Sequence, residues 1–375
     1  MAVLFLILGP QAVASEIYEN WISARALGMG NAFSSVADDY NALFYNPAGL
    51  DKIHGLHLTL LTPQIGTDAL NVAQIYNDMT GSNYATIIHN YFGQLVWVGF
   101  SDALGYSMHD FALAGFDNFN LSFNLHNPAY PNVTMRLTDD YGIAGGFGTS
   151  LLPNDALRMG FTVKRVTRYG GSVPFGPSTL ATLSNSQLTG LINNYGTGYG
   201  LDAGMLLTVP GTSQFTLAAV WQNIGQTNFT LVGGSTPPPP MDDDPTLGFS
   251  LLLDAKVVTV RPSFDFAHIN LDQSEQLGKL MHLGVELNFI GGLSVRAGLN
   301  QGYYTAGVGI DLKYIRIDVA SYGVELDTYP GQLEDRRYIL QFTMDLNFDP
   351  SFDLFGGSAN GSGTGGAVSR GFQRR

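Results

Sequence analysis

No cysteine occurs anywhere in the chain, so no disulfide framework holds it, and stability has to come from hydrogen-bonded sheet and packing. Charge is scarce: Asp, Glu, Lys and Arg make up 13% of residues, against about 25% in an ordinary soluble domain. A soluble surface of this size needs more than that. Positive charge is the scarcer sign, with 18 Lys and Arg against 31 Asp and Glu, a net charge of -13. That balance excludes a nucleic-acid partner, whose phosphates demand a basic face, and gives no reason to dock on anionic headgroups. Also missing is any uninterrupted apolar run of the ~20 residues a membrane-spanning helix requires. Signatures of catalysis are absent too. There is no H-E-x-x-H, no P-loop and no Cys nucleophile, and Gly28-Met29-Gly30 lacks the third glycine and the preceding strand of a dinucleotide site. No enzyme and no cofactor are expected.

What the chain does have is glycine, 46 residues of it, an aromatic content of 12%, and long stretches of period-two alternation. In YILQFTMDLNF, residues Tyr338, Leu340, Phe342, Met344, Leu346 and Phe348 share one face. Gln341, Thr343, Asp345 and Asn347 share the other, with Ile339 the one exception. The apolar face is as long as the ~9–11 residues of a strand that crosses a bilayer. MHLGVELNF repeats the pattern, with His282 and Glu286 facing in; so do LSVRAGLN, with Arg296 in, and YIRIDVASY, with Arg316 and Asp318 in. Acids and bases on a shared inward face suit a polar lumen and would be costly against lipid. His282 and Glu286 could form an acid–base pair, but a structural charge network with Arg296, Arg316 and Asp318 is the stronger reading.

Fourteen strands are predicted. They lie near Leu56–Thr62, Leu95–Met108, Phe111–Leu125, Val133–Leu152, Leu157–Tyr169, Gly198–Val209 and Phe215–Ile224. The rest lie near Thr246–Asp254, Lys256–His268, Leu280–Phe289, Leu293–Asn300, Tyr304–Leu312, Tyr314–Gly323 and Tyr338–Phe348. Links after even-numbered strands are short, such as the turns at Pro153 and Pro210. Most links after odd-numbered strands are long, as in Gly170–Thr197, Gly225–Pro245 and Val324–Arg337. A sandwich has no reason to sort its loops by parity, whereas an outer-membrane barrel has short periplasmic turns and long outer loops. The expected fold is therefore an all-β, antiparallel transmembrane barrel of the bacterial outer membrane, with both termini periplasmic.

Four regions are expected. Residues 1–14 read as a signal peptide, with an apolar core and the Ala12-Val13-Ala14 cleavage site, although no Lys or Arg precedes that core. Residues 15–55 precede the first strand, 56–348 form the barrel, and 349–375 form a flexible Gly/Ser-rich periplasmic tail. Short helices are expected within Asn71–Met79, Asn83–Tyr91 and Ser178–Asn194, sheltering a greasy ligand or packing on each other. PPPPMDDDP, Pro237 to Pro245, reads as a stiff spacer. Its Asp242-Asp243-Asp244 run reads as a solvated loop rather than a cation site, since the liganding pattern of a calcium loop is missing.

The stretch before the first strand is rigid and apolar. Pro47 fixes the backbone, Gly49 allows a sharp exit, Phe44 and Tyr45 can fill a lumen, and Asp38, Asp39 and Asn46 can satisfy a polar wall. SARALGMGNAFSSVADDYNALFYNPAGL, Ser23 to Leu50, resembles the N-terminal signature of the FadL-type outer-membrane transport proteins and their PorV-type and uncharacterised spirochaetal relatives. VWQNIG and the stretch from LGVEL to EDRRYILQF are similar to the same group. The resemblance implies that residues 15–55 fold inside the barrel as a hatch, with Asn46, Pro47 and Ala48 near the plug. It implies a channel for passive uptake of hydrophobic small molecules, long-chain fatty acids among them. The alternative is a non-transporting barrel that serves as an anchor or partner-binding platform, as in the PorV-type secretion proteins. Expected partners are a hydrophobic ligand or lipid, outer-membrane lipids and the barrel-assembly machinery.

Overall fold

A computed structural model of the chain describes residues 16–68, 95–126, 132–175, 193–209, 214–270 and 277–348. The expected signal peptide, the C-terminal tail, the turn at Pro210 and most of the expected loop helices lie outside the described residues.

The alternating segments become strands of a single antiparallel sheet. These are β1 (Leu56–Leu61), β2 (Gln64–Thr67), β3 (Leu95–Met108), β4 (Phe111–His126), β5 (Asn132–Ser150), β6 (Leu157–Phe175), β7 (Tyr195–Val209) and β8 (Gln214–Gln222). After them come β9 (Thr230–Gly233), β10 (Asp244–Asp254), β11 (Val258–Phe266), β12 (Met281–Phe289), β13 (Leu293–Asn300), β14 (Tyr303–Asp311), β15 (Ile315–Glu325) and β16 (Glu334–Phe348). β1 and β2 are halves of one strand, interrupted by a register shift after Thr59 and by Pro63, which has no N–H to give the ladder. β9 pairs only with β7, so fourteen strands close the barrel. Closure is made by the first strand lying between β16 and β3, with Leu56 opposite both Phe348 and Met108.

Alternation sorts the two faces as expected. Outward side chains include Leu104, Ile143, Val163 and Leu340, all more than half exposed. Inward ones include Thr162, Asp202, Glu286 and Asp318, all buried. An apolar outer wall on a closed sheet with no free edge is the bilayer-spanning solution. Ile339, the exception in the last strand, is buried beside Ala24, Leu27, Trp97 and Tyr322, so it belongs to an apolar patch inside the barrel.

Four details differ from the sequence reading. β15 runs to Glu325 and β16 begins at Glu334, so the expected Val324–Arg337 loop shrinks to residues 326–333. β6 and β7 extend further than expected: β6 runs on to Phe175 by pairing with β5 as far as Val133↔Phe175, and β7 begins at Tyr195, opposite Tyr169. The loop after β8 is not a plain spacer: β9 folds back on β7, and Thr227 bridges to Met241. Pro245 is in β10, opposite Trp221, and not in the loop.

Candidate functional site

Residues 16–55 lie against the inward faces of the strands, and most are buried. The segment starts with α1 (Ala24–Gly28), capped by the Ser23 hydroxyl, which accepts a hydrogen bond from the Ala26 N–H. The NPAG stretch then forms regular if short structure. α2 (Ala42–Tyr45) passes directly into a 3₁₀ turn, Pro47–Lys52, capped by Asn46, whose side chain accepts from Ala48 N–H at 3.1 Å. Asn46 Nδ2 also donates to the Ser34 carbonyl at 2.8 Å. Gly49 lies inside that turn without positive φ; the sharp exit into β1 comes at Gly55, φ 80°.

Two contacts seat the segment. The first is steric. Gly148, Gly160 and Gly204 stand side by side across β5, β6 and β7. A Cβ on Gly160 would stand 2.5 Å from the Pro47 carbonyl carbon and 2.7 Å from Ala48 N, so only glycine lets the turn dock here. Phe44 stacks on Trp21 with ring centroids 4.3 Å apart and meets Phe116 edge-on at 5.2 Å. Tyr45 meets Phe33 edge-on at 5.0 Å and donates its hydroxyl hydrogen to Asn31 Oδ1 at 3.1 Å.

The second contact is a closed ring of alternating charge. Arg25 reaches Glu286 on β12 at 3.2 Å, Glu286 reaches Arg296 on β13 at 2.8 Å, and Arg296 reaches Asp318 on β15 at 2.7 Å. Asp318 then meets Arg316 at 2.8 Å, Arg316 meets Asp39 at 3.7 Å, and Asp39 returns to Arg25 at 3.4 Å. Arg296 crosses β14 to make its contact, and Gly309 on β14 leaves the room; a Cβ there would stand 2.8 Å from its guanidinium. Asp38 joins from the side, 2.6 Å from Arg25 and 2.9 Å from Arg261. Burial pushes the Asp38 carboxyl up, but Arg25 and then Arg261 outweigh it and hold it below the usual carboxylate range. Four guanidinia thus face four carboxylates, two of which come from the N-terminal segment.

The structure therefore brings together Glu286, Arg296, Arg316 and Asp318, and adds Arg25, Asp38, Asp39 and Arg261. Alternation could not reveal Arg25, Asp38 and Asp39, which are not on strands; Arg261 is on β11, opposite Glu286, and alternation could have found it. His282 stands apart from the ring: its Nδ1 lies 2.9 Å from the Gly30 carbonyl.

Above the segment, between Glu16–Asn31 and the β8–β10 loop, a cavity of about 520 Å³ opens toward the outer loops. Its apolar lining is Ile22, Leu27, Trp97, Tyr322 and Val324, with Arg337 among them, 4.4 Å over the Trp97 ring; Arg136, Asp140 and Arg168 also line it. Arg168 is held by both Asp140 oxygens, at 2.6 and 2.7 Å, and donates to the Pro239 and Pro240 carbonyls. Arg337 is held by Glu16 and Asp335, each at 2.6 Å. Arg136 lies 3.3 Å over the Tyr18 ring and has no ion pair among the described residues. Asp242, Asp243 and Asp244 turn to separate partners, Gln226, Trp221 and His268. On the other side of the segment only about 50 Å³ is open, near His54, His57 and Asp345.

A closed, even-stranded antiparallel barrel with an apolar outer wall, short turns at one end and long loops at the other is a protein of the bacterial outer membrane. Comparison with solved structures agrees. The chain is similar to the deltaS2S3 mutant of the TodX monoaromatic hydrocarbon channel, with TM-score 0.50 and 14% identity over 87% of this chain and 99% of that one. The fold is of this FadL type. The chain also aligns with the P. putida toluene transporter TodX (TM-score 0.42, 13% identity, 86% and 98% covered) and with a Pseudomonas aeruginosa FadL homologue (0.33, 10%, 90% and 100%). No protein-family model matches the sequence, and no curated protein matches it.

Proposed function

We propose that the protein is a channel for passive entry of small hydrophobic molecules across the outer membrane, with residues 15–55 acting as a hatch. The observation that carries this reading is the pairing of an outward-opening, partly apolar cavity with a plug that meets the barrel chiefly through side chains, the backbone bond from Asp110 N–H to the Leu50 carbonyl apart. The plug adds no strand to the sheet, so it can shift without breaking the barrel's ladder of hydrogen bonds. Asp38, Asp39 and Phe44 to Gly49 are the hatch positions; Glu286, Arg296, Arg316 and Asp318 are its seat. The neighbouring TodX mutant is a monoaromatic hydrocarbon channel, and Trp97, Tyr322, Ile22, Leu27 and Val324 give this cavity apolar lining. Long-chain fatty acids fit as a second ligand class, because Arg136 has no ion pair among the described residues and can receive a carboxylate. The PorV-like platform is the competing reading, in which the plug never leaves.

The test is uptake of labelled toluene and of a labelled fatty acid, with leakage of a small polar antibiotic, in cells with matched surface levels. The intact protein should raise uptake of one ligand class, and deletion of Asp38–Gly49 should raise antibiotic leakage while changing that uptake. Leakage without any protein-dependent uptake in the intact form defeats transport and leaves the hatch standing. No change in either favours the platform.

A further inference from the structure

Three side chains from three elements converge at the floor of the outer cavity. Glu19 comes from the N-terminal segment, His268 from the loop after β11 and His282 from β12, and one ligand atom from each lies within 4.8 Å of the others. The two imidazoles are held alike. His268 Nδ1 lies 2.9 Å from an Asp244 oxygen, and His282 Nδ1 lies 2.9 Å from the Gly30 carbonyl. An acceptor opposite Nδ1 places a proton there and leaves the Nε2 lone pair available, which is the way metal-ligating histidines are oriented. His282 is fully buried with the Asn300 side chain beside it, but no well-formed hydrogen bond reaches its Nε2. A buried nitrogen without one costs stability unless something fills the place opposite it.

The spacing also fits an ion. Glu19 Oε1 and His268 Nε2 are 3.2 Å apart. Two ligands on four-coordinate zinc, each bonded at about 2.0–2.1 Å, stand roughly 3.3 Å from one another. An imidazolium at His268 bridging Glu19 and Asp244 would account for that contact without metal, but it leaves His282 Nε2 without a well-formed hydrogen bond.

We propose that Glu19, His268 and His282 bind a first-row divalent cation, with Zn²⁺ the ion best matched to two imidazoles and a carboxylate. Glu19 and His268 line the outer cavity, which gives the ion an entry path and leaves room for water as a further ligand. One ligand is on the N-terminal segment and two are on the barrel, so the ion ties the outer end of the segment to the wall. Binding stands independently of the transport reading; only its consequence as a latch on a moving plug rests on that reading.

The full chain, folded in detergent and stripped with a chelator, should take up one Zn²⁺ per chain in a calorimetric titration. Co²⁺ should give the visible bands of a low-coordinate N/O site. Glu19→Gln and His282→Gln should each weaken Zn²⁺ at least 100-fold, and Asp244→Asn, one bond removed, about 10- to 100-fold. Heat-dependent gel mobility checks that each barrel is folded. Should His282→Gln fail that check, Glu19→Gln, at a partly exposed residue, decides. No stoichiometric binding, or binding unaltered by these substitutions, overturns the site.

Discussion

Arg25 is the residue on which the seating of the N-terminal segment is most exposed to test. It is fully buried, and it touches three carboxylates, those of Asp38, Asp39 and Glu286. Arg25→Met keeps most of the volume and leaves the ring one negative charge in excess. Removing one member of a buried ion pair costs about 3–5 kcal/mol, chiefly through the charge left behind. Glu286 keeps Arg296 and Asp38 keeps Arg261, so the lower end applies. About 3 kcal/mol is a shift of roughly 100-fold in the seated-to-unseated equilibrium. The cysteine-free chain offers a direct assay. Ser35 is buried and its hydroxyl has no partner, so Ser35→Cys is a nearly isosteric reporter inside the plug. Its rate of modification by a maleimide should rise roughly 100-fold with Arg25→Met. Gel mobility should show the barrel unchanged. Adding Glu286→Gln restores the charge balance and should return part of that loss. An unchanged rate with Arg25→Met, or a double variant worse than the sum of the singles, would refute the ring as the seat.

Other sites make separate demands. Gly204→Val puts a side chain where Asn46 and Pro47 now lie, costing about 1–3 kcal/mol of overpacking, and should raise the same labelling rate while β-barrel folding is retained. Burial, with Arg261 adding, pushes the Lys52 amine down to about 7 from 10.5, so the seated form binds fewer protons than the free segment between those values. Seating should therefore strengthen as pH rises from about 7 toward 10.5, where the penalty is gone, and Lys52→Met should flatten that dependence in the labelling assay. Val285 is next to Glu286 but on the other face of β12, so Val285→Arg should cost about 2–4 kcal/mol if it lies at the bilayer midplane, measured by denaturant unfolding in lipid vesicles.

Most of the barrel was legible because period-two alternation is dictated by having lipid on one side and protein on the other. It placed Glu286, Arg296, Arg316 and Asp318 on a common inner face, and loop parity ordered the strands. What alternation cannot carry is a partner from outside the sheet. Arg25 sits in five helical residues with an unremarkable sequence, and nothing local says that its charge is spent on β12. The glycines of β5 to β7 were counted as composition; their alignment across three strands, which makes them a dock for Pro47, exists only once register is fixed. Glu19 and His268 were equally hidden, and His282, though read as inward-facing, gave no sign of either, since three elements far apart in sequence supply one residue each.

The seam between β1 and β16 has a kinetic meaning as well. It joins the first strand of the chain to the last, so it is the contact with the greatest loop to close, and neighbouring hairpins pair before it. The N-terminal segment is tied to β1 by a turn at Gly55 and carries Arg25, whose partner Glu286 lies on a late strand. While the sheet is still open, that segment can already give Arg25 to Glu286, whose other partner, Arg296, comes from the neighbouring strand β13. Its docking can therefore draw the last strands toward the first, and enclosure of the N-terminal segment and completion of the wall become one event.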